Sequence, residues 1–571
     1  MERRMNRSSP KTWPMLGLSI VLTCVLGAWV HLKLYAISGT LALDVPLVAL
    51  FTVAWLFGIT WWGRGVGWFF RRERLWLYVW TVAGVVTVIV LGYVEEAGRG
   101  RRDWAAVQHE WSVSGERFDL SAILPSPLRA EDNFAMTPVL AALFDYKELP
   151  CGPGGQKQYS NPEAVKRLTA IQLPKNRDLY EGWIQARPTD LRAWQLYFRT
   201  NGMITASDGG DPADDILKVL SRYDSVFDEM RSASSRPSAR YQCQYEKGWS
   251  VERPHLAVLS NLAHLLNLKS VAELSEAKTT EAFADVKLIV RLADSLKGEP
   301  GASPLVTRDV MLADLMQPIW EGLALHLWTD AQLSSFQDAF HGTDLLAEHL
   351  VAIRGETILW VDFLNQTPPN KTSEDIAPGN PLEHIKVVRN IYPSGWLLAQ
   401  RAGLYRFYKD FLTASVNADE QRVFVDKIHA SDRQLSRTYV PMDQFFRTFI
   451  TPKLKQVFDE SALEIAFTQT AVNEAFLACA LERYHLKHGR FPETLDAIPV
   501  DLLGLPADGN PPHDLITGQP LHYGPTADGF LIYSVGWNQT DDGGKPPPFD
   551  KDWRGNPVVN LSKQDWVWRT R

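Results

Sequence analysis

The sequence predicts a membrane-anchored, mainly α-helical protein, with three N-terminal transmembrane helices, a soluble domain of helical hairpins and a small C-terminal α+β module with an antiparallel sheet. Three observations carry this. Residues 12–30, 45–63 and 75–94 contain no Asp, Glu, Lys or Arg, and at ~1.5 Å rise per residue each would cross a hydrocarbon core of ~30 Å. A long middle stretch places apolar residues at helical spacing, and after Gly489 the pattern gives way to short β-type runs between turn residues.

The three spans lie in a segment, residues 1–94, read as the membrane domain. Trp61, Trp62, Trp68 and Trp76 sit where apolar runs meet loops, positions that suit rings at the headgroup level. A cytoplasmic N-terminus would put Arg3, Arg4, Arg7, Lys11, Arg64, Arg71, Arg72 and Arg74 inside, and Lys33, Arg99, Arg101 and Arg102 outside. That imbalance favours an extracytoplasmic soluble region. The lipid bilayer is then the first expected partner. With a net charge of −7, the chain lacks the basic excess that phosphate neutralisation requires, so no nucleic acid is expected.

Residues 95–160 read as a juxtamembrane arm, with turn-forming and acidic residues from 123 to 138. Residues 161–457 read as the helical domain. Asp211-Pro212-Ala213-Asp214 is a helix start, with an N-cap, a proline at the first helical position and an acid in the first turn. Ala282, Phe283, Val286, Ile289, Val290, Ala293 and Leu296 form a single apolar stripe. Thr329-Asp330-Ala331-Gln332 is a capping box, flanked by Trp328 and Leu333 as a hydrophobic staple. Residues 367–382 read as a loop. In the last segment, 458–571, one long helix from 461 to 488 precedes strands near 520–523, 530–535 and 566–568, a separate α+β module.

The run Leu481-Glu482-Arg483-Tyr484, Gly489-Arg490-Phe491-Pro492, Gly518-Gln519-Pro520-Leu521-His522-Tyr523, Tyr533-Ser534-Val535-Gly536 and Asp541-Asp542-Gly543-Gly544 resembles the C-terminal half of the type II secretion major pseudopilin. The likeness covers about the last fifth of the chain, and the remainder resembles large bacterial multi-span membrane proteins ending in such a module. The chain lacks the processed N-terminal motif of pseudopilins, and its matching helix is amphipathic and distant from the apolar spans. The resemblance therefore implies a borrowed module, not a filament subunit. It also implies a calcium site in the loop after the Tyr-Ser-x-Gly strand, at Asn538, Asp541, Asp542 and Asp565, where clustered oxygens would suit Ca2+. Asn538 stands where an acid is frequent in the family, and the spacer from Gly544 to Asp565 is long; the alternative is a solvated acidic turn.

Cysteine is scarce: Cys24, Cys151, Cys243 and Cys479 offer no CxxC and no zinc spacing with histidine. Cys151 and Cys243 are either a bridge across an oxidising compartment or two free thiols. No GxSxG, GxxxxGK[ST], HExxH or GxGxxG occurs. Glu321 and His326, five apart on one predicted helix, do not face each other, and His255 and His264 are read as structural. These readings leave no catalytic residue. The expected function is a membrane-anchored interaction or assembly protein of the bacterial cytoplasmic membrane, extracytoplasmic, with a protein partner in the cell envelope. The alternatives are an envelope-acting hydrolase with a site assembled from distant residues, or a secretion-apparatus accessory component.

Overall fold

A computed structural model describes residues 75–115, 117–149, 156–174, 182–204, 210–366, 394–430, 451–505, 510–551 and 557–570. The chain divides into two units, Met1–Tyr93 and Val94–Arg571. The principal helices are α1 (Leu75–Ser114), α2 (Leu191–Thr200), α3 (Pro212–Leu220), α4 (Asp224–Ala233), α5 (Pro254–Ser275), α6 (Thr279–Asp294), α7 (Ala302–Ala324), α8 (Asp330–His341), α9 (Leu345–Gln366), α10 (Ser394–Phe407) and α11 (Thr451–His488). The strands are β1 (Tyr146–Leu149), β2 (Gln156–Tyr159), β3 (Val416–Asn417), β4 (Arg422–Val423), β5 (His522–Pro525), β6 (Phe530–Ser534), β7 (Phe549–Lys551), β8 (Pro557–Val559) and β9 (Trp566–Arg569). All pair antiparallel, in small sheets; the largest has the order β5-β6-β9.

The membrane-anchored architecture is corrected here. Among the described residues no helix is long and apolar enough to cross a membrane. The expected spans at 12–30 and 45–63 lie outside the described residues, as do Cys24, Trp61, Trp62, Trp68 and the loop at 367–382. The third expected span, 75–94, is the first half of α1. That helix does not stop at the predicted boundary; it runs on through Glu95, Glu96, Arg99, Arg101 and Arg102 to Ser114. Its polar half is held by protein. Val107 is buried with Phe118, Tyr405 and Phe458, and Trp104 and Trp111 pack against that cluster. Trp111 stacks on Phe118 at 4.9 Å. α1 and α10 also touch through Gly100 and Gly395, where a Cβ on either glycine would overlap the backbone of the other helix. The helix expected to open at Trp104 is thus the second half of this longer one.

In the helical region the local signals behave as their chemistry requires. Asp211 caps α3 by accepting from the Ala213 amide at 2.9 Å, with Pro212 as the first helical residue. Both halves of the Thr329/Gln332 capping box form at the start of α8. α7 carries an internal proline, Pro318. Its missing N–H leaves the carbonyl one turn back, at Asp314, without a helical donor; the Asn267 side-chain amide of α5 donates to that carbonyl instead. Helices α5, α6 and α7 pack on one another, and α11 packs against α7, α8, α9 and β9.

α11 is buried along much of its length by Ile465, Phe467, Val472, Phe476 and Cys479. Phe467 meets Trp566 edge-on at 5.7 Å and Trp183 face-on at 5.8 Å. The Trp320 indole N–H donates to the Arg569 carbonyl at 2.7 Å, tying α7 to the last strand. One buried apolar cluster accordingly extends from Phe134 to Trp568, across positions 160 and 457 where the sequence suggested divisions.

Candidate metal centre

Two elements bring together His326, Glu482 and His485. Glu482 and His485 are three residues apart on α11, a spacing that puts both on one helical face. His326 follows the end of α7. There Leu325 N–H bonds to the Glu321 carbonyl at 3.1 Å and Leu327 N–H bonds back to the Gly322 carbonyl at 2.8 Å. This wraps the chain into a left-handed residue at 326, with φ 52°. Such a position ordinarily takes glycine. The turn is then locked: Trp328 is fully buried, its indole N–H donates to the Ile319 carbonyl at 3.1 Å, and a Cβ on Gly322 would overlap that indole.

One donor atom from each of the three side chains lies within 4.8 Å of the other two. His326 Nδ1 is 2.7 Å from Glu482 Oε1, and His485 Nδ1 is 3.9 Å from the same oxygen. The imidazoles lie 5.0 Å apart, tilted by 31°, and Phe491 stacks on His485 at 4.6 Å. Burial is graded: the Glu482 side chain is 2% exposed, His485 30% and His326 44%. The His485 Nδ1 atom itself is buried and makes no hydrogen bond. Beside the site, Arg483 donates to Asp330 at 2.8 Å and to Gln337 at 2.9 Å, clamping α8 to α11. The donors are thus carried by braced elements, as a preformed site needs.

Zinc ligands at about 2.0–2.1 Å from the ion, arranged tetrahedrally, stand about 3.3 Å from one another. The two separations from Glu482 bracket that value, so seating an ion needs His326 to move slightly away from the carboxylate and His485 slightly toward it. A carboxylate removed from water is stabilised by donors or by a cation, and Glu482 already has the His326 ring nitrogen beside it. Two facing imidazoles, one with an orphaned nitrogen, supply the other ligands.

A second cluster, Cys243, His255 and Glu299, is organised differently. Glu299 already receives His255 Nε2 at 2.8 Å and has Arg253 Nε at 3.4 Å, and the Cys243 thiol donates to it at 3.8 Å. Burial, and then the charge of Glu299, pushes the Cys243 thiol up to about 12. A metal there would displace a firmly held thiol proton and compete with an arginine. Cys243 is a free thiol, and its expected partner Cys151 lies outside the described residues.

Of the residues singled out as calcium ligands, Asn538, Asp541 and Asp542 share one loop and Asp565, just before β9, reaches it through hydrogen bonds. Asp565, fully buried, accepts from the Asp542 amide at 3.1 Å and the Gly544 amide at 2.7 Å. Asp541 accepts from Gly543 N–H at 2.9 Å and Tyr533 O–H at 3.1 Å, and the backbone bond from Gly543 holds its carboxyl below the ordinary range. The Asn538 amide donates to Asp542 at 2.9 Å. Gly543 and Gly544, both at positive φ, make that inward-facing loop.

Glu321, read in the sequence as not facing His326, accepts from Thr189 N–H at 2.8 Å and from the Gln317 amide at 2.7 Å. His264 pairs with Asp314 at 2.6 Å. The only sequence signal for the centre was the Glu482-x-x-His485 spacing on a long helix; nothing local links it to a histidine 156 residues earlier.

No protein-family model matches the chain, and neither a curated protein nor a solved structure is significantly similar to it.

Proposed function

We propose that this chain is a zinc-binding protein, with His326, Glu482 and His485 as the protein ligands. The observation that carries the reading is the buried Glu482 carboxylate between two imidazoles, one of whose inward nitrogens has no hydrogen-bond partner. Two imidazoles and a carboxylate suit zinc, and three protein ligands with a fourth position left over is the pattern of its reactive sites. The same donors also serve ferrous iron, which uses several open positions in an octahedral shell. Phe491 over His485 and the deep burial of Glu482 leave access from the His326 side, which favours the four-coordinate ion.

The test is calorimetric titration of the metal-free full-length chain with Zn2+. Stoichiometric binding is expected. His326→Ala, Glu482→Gln and His485→Ala should each weaken it, on the order of 100-fold, at or above the top of the range for losing a ligand's supporting partner. Cys243→Ser should bind as the wild type does. Equal affinity in all the variants, or tighter binding of Fe2+ than Zn2+, would overturn the reading.

A further inference from the structure

The donors at this centre all approach from the protein side. Glu482 closes the floor at 2% exposure, Phe491 and His326 flank the His485 ring, and His326 is 44% exposed. Among the described residues, the converging group contains three ligating side chains and no fourth. A tetrahedral ion held there must complete its shell from solvent. Charge decides what suits that position. A divalent ion with one carboxylate and two neutral imidazoles keeps a single positive charge. A monoanion cancels it, whereas a dianion would leave an excess negative charge beside a buried carboxylate.

We propose that the zinc at His326, Glu482 and His485 keeps one coordination position facing solvent, and that this position takes a small monoanion. The inference rests on the zinc reading above, and its test separates the two. Cobalt replaces zinc in the full-length chain, and its visible d–d absorption reports coordination directly. Acetate is then titrated in, with phosphate as the dianionic comparison. The expected result is a saturable change of the cobalt spectrum with acetate, at lower concentration than with phosphate. The response should be lost in His326→Gly, which removes the imidazole while suiting the left-handed backbone. A cobalt spectrum that forms but responds to no anion would overturn the open position and leave the metal site standing. Absence of a cobalt band in the wild type would overturn the zinc reading itself. A response that persists in His326→Gly would overturn the placement of the metal at His326, and one stronger for phosphate than for acetate would overturn the monoanion assignment.

Discussion

At position 326 the chain adopts φ 52° with a full imidazole side chain, where the wrap from Leu327 to Gly322 favours glycine. A left-handed backbone costs a non-glycine residue about 1–2 kcal/mol, and strain of this kind concentrates where a side chain is needed at a fixed place. A comparison of two variants separates backbone from side chain. His326→Ala and His326→Gly both remove the imidazole and both leave Glu482 with one partner fewer. The glycine variant alone relieves the backbone, so it should be the more stable of the two by about 1 kcal/mol after the larger freedom of glycine in the unfolded chain is counted. Urea denaturation of the metal-free forms measures the difference, and equal midpoints would show that residue 326 is unstrained. This strain was invisible in the sequence. Periodicity continued the helix through His326 and set it five residues from Glu321, whereas the helix ends at Ala324 and the next residues turn away.

Among the elements, α11 does the most. It lines the core on one side, donates the Arg483 clamp to α8, carries two of the three ligands, and buries Glu474 against the sheet. Glu474 is fully enclosed, beside the Ser534 backbone and the Asp514 carboxylate; burial first, then the Asp514 charge, raises its carboxyl well above the ordinary value of 4.5. The folded chain therefore holds a proton at this site that the unfolded chain releases above about pH 4.5. The contribution of Glu474 to stability is fullest below that pH and falls as pH rises toward the folded value, by up to about 1.4 kcal/mol per pH unit. Glu474→Gln removes the proton exchange while keeping the shape. The melting temperature of this variant relative to wild type should rise steadily from acid to alkaline buffers. Parallel profiles would mean that Glu474 is ionised in the fold. Element starts were the most legible part of the sequence, since Asp211 and the Thr329/Gln332 box act within one turn of where they stand. Long-range burial of a charged residue such as Glu474 leaves no local trace, because what encloses it comes from residues 514 and 534.

For the whole molecule, the sequence reading was right that helices dominate and that small antiparallel sheets follow the last long helix. It erred where uncharged length was equated with a membrane span: in α1 the apolar run is continuous with a polar half docked by Trp104 and Trp111. Trp183, Trp320, Phe467 and Trp568, far apart in sequence, meet in one buried cluster, and that packing brings the end of α7 to the face of α11. The three donors converge only as a product of this assembly, so no local motif marks them. X-ray absorption at the zinc edge of the purified, zinc-loaded full chain tests the claim most directly. The account predicts a first shell of nitrogen and oxygen at about 2.0–2.1 Å, with imidazole outer-shell scattering and no sulfur. A sulfur contribution at about 2.3 Å would bring a cysteine into the shell, as at Cys243, His255 and Glu299, and contradict the assignment.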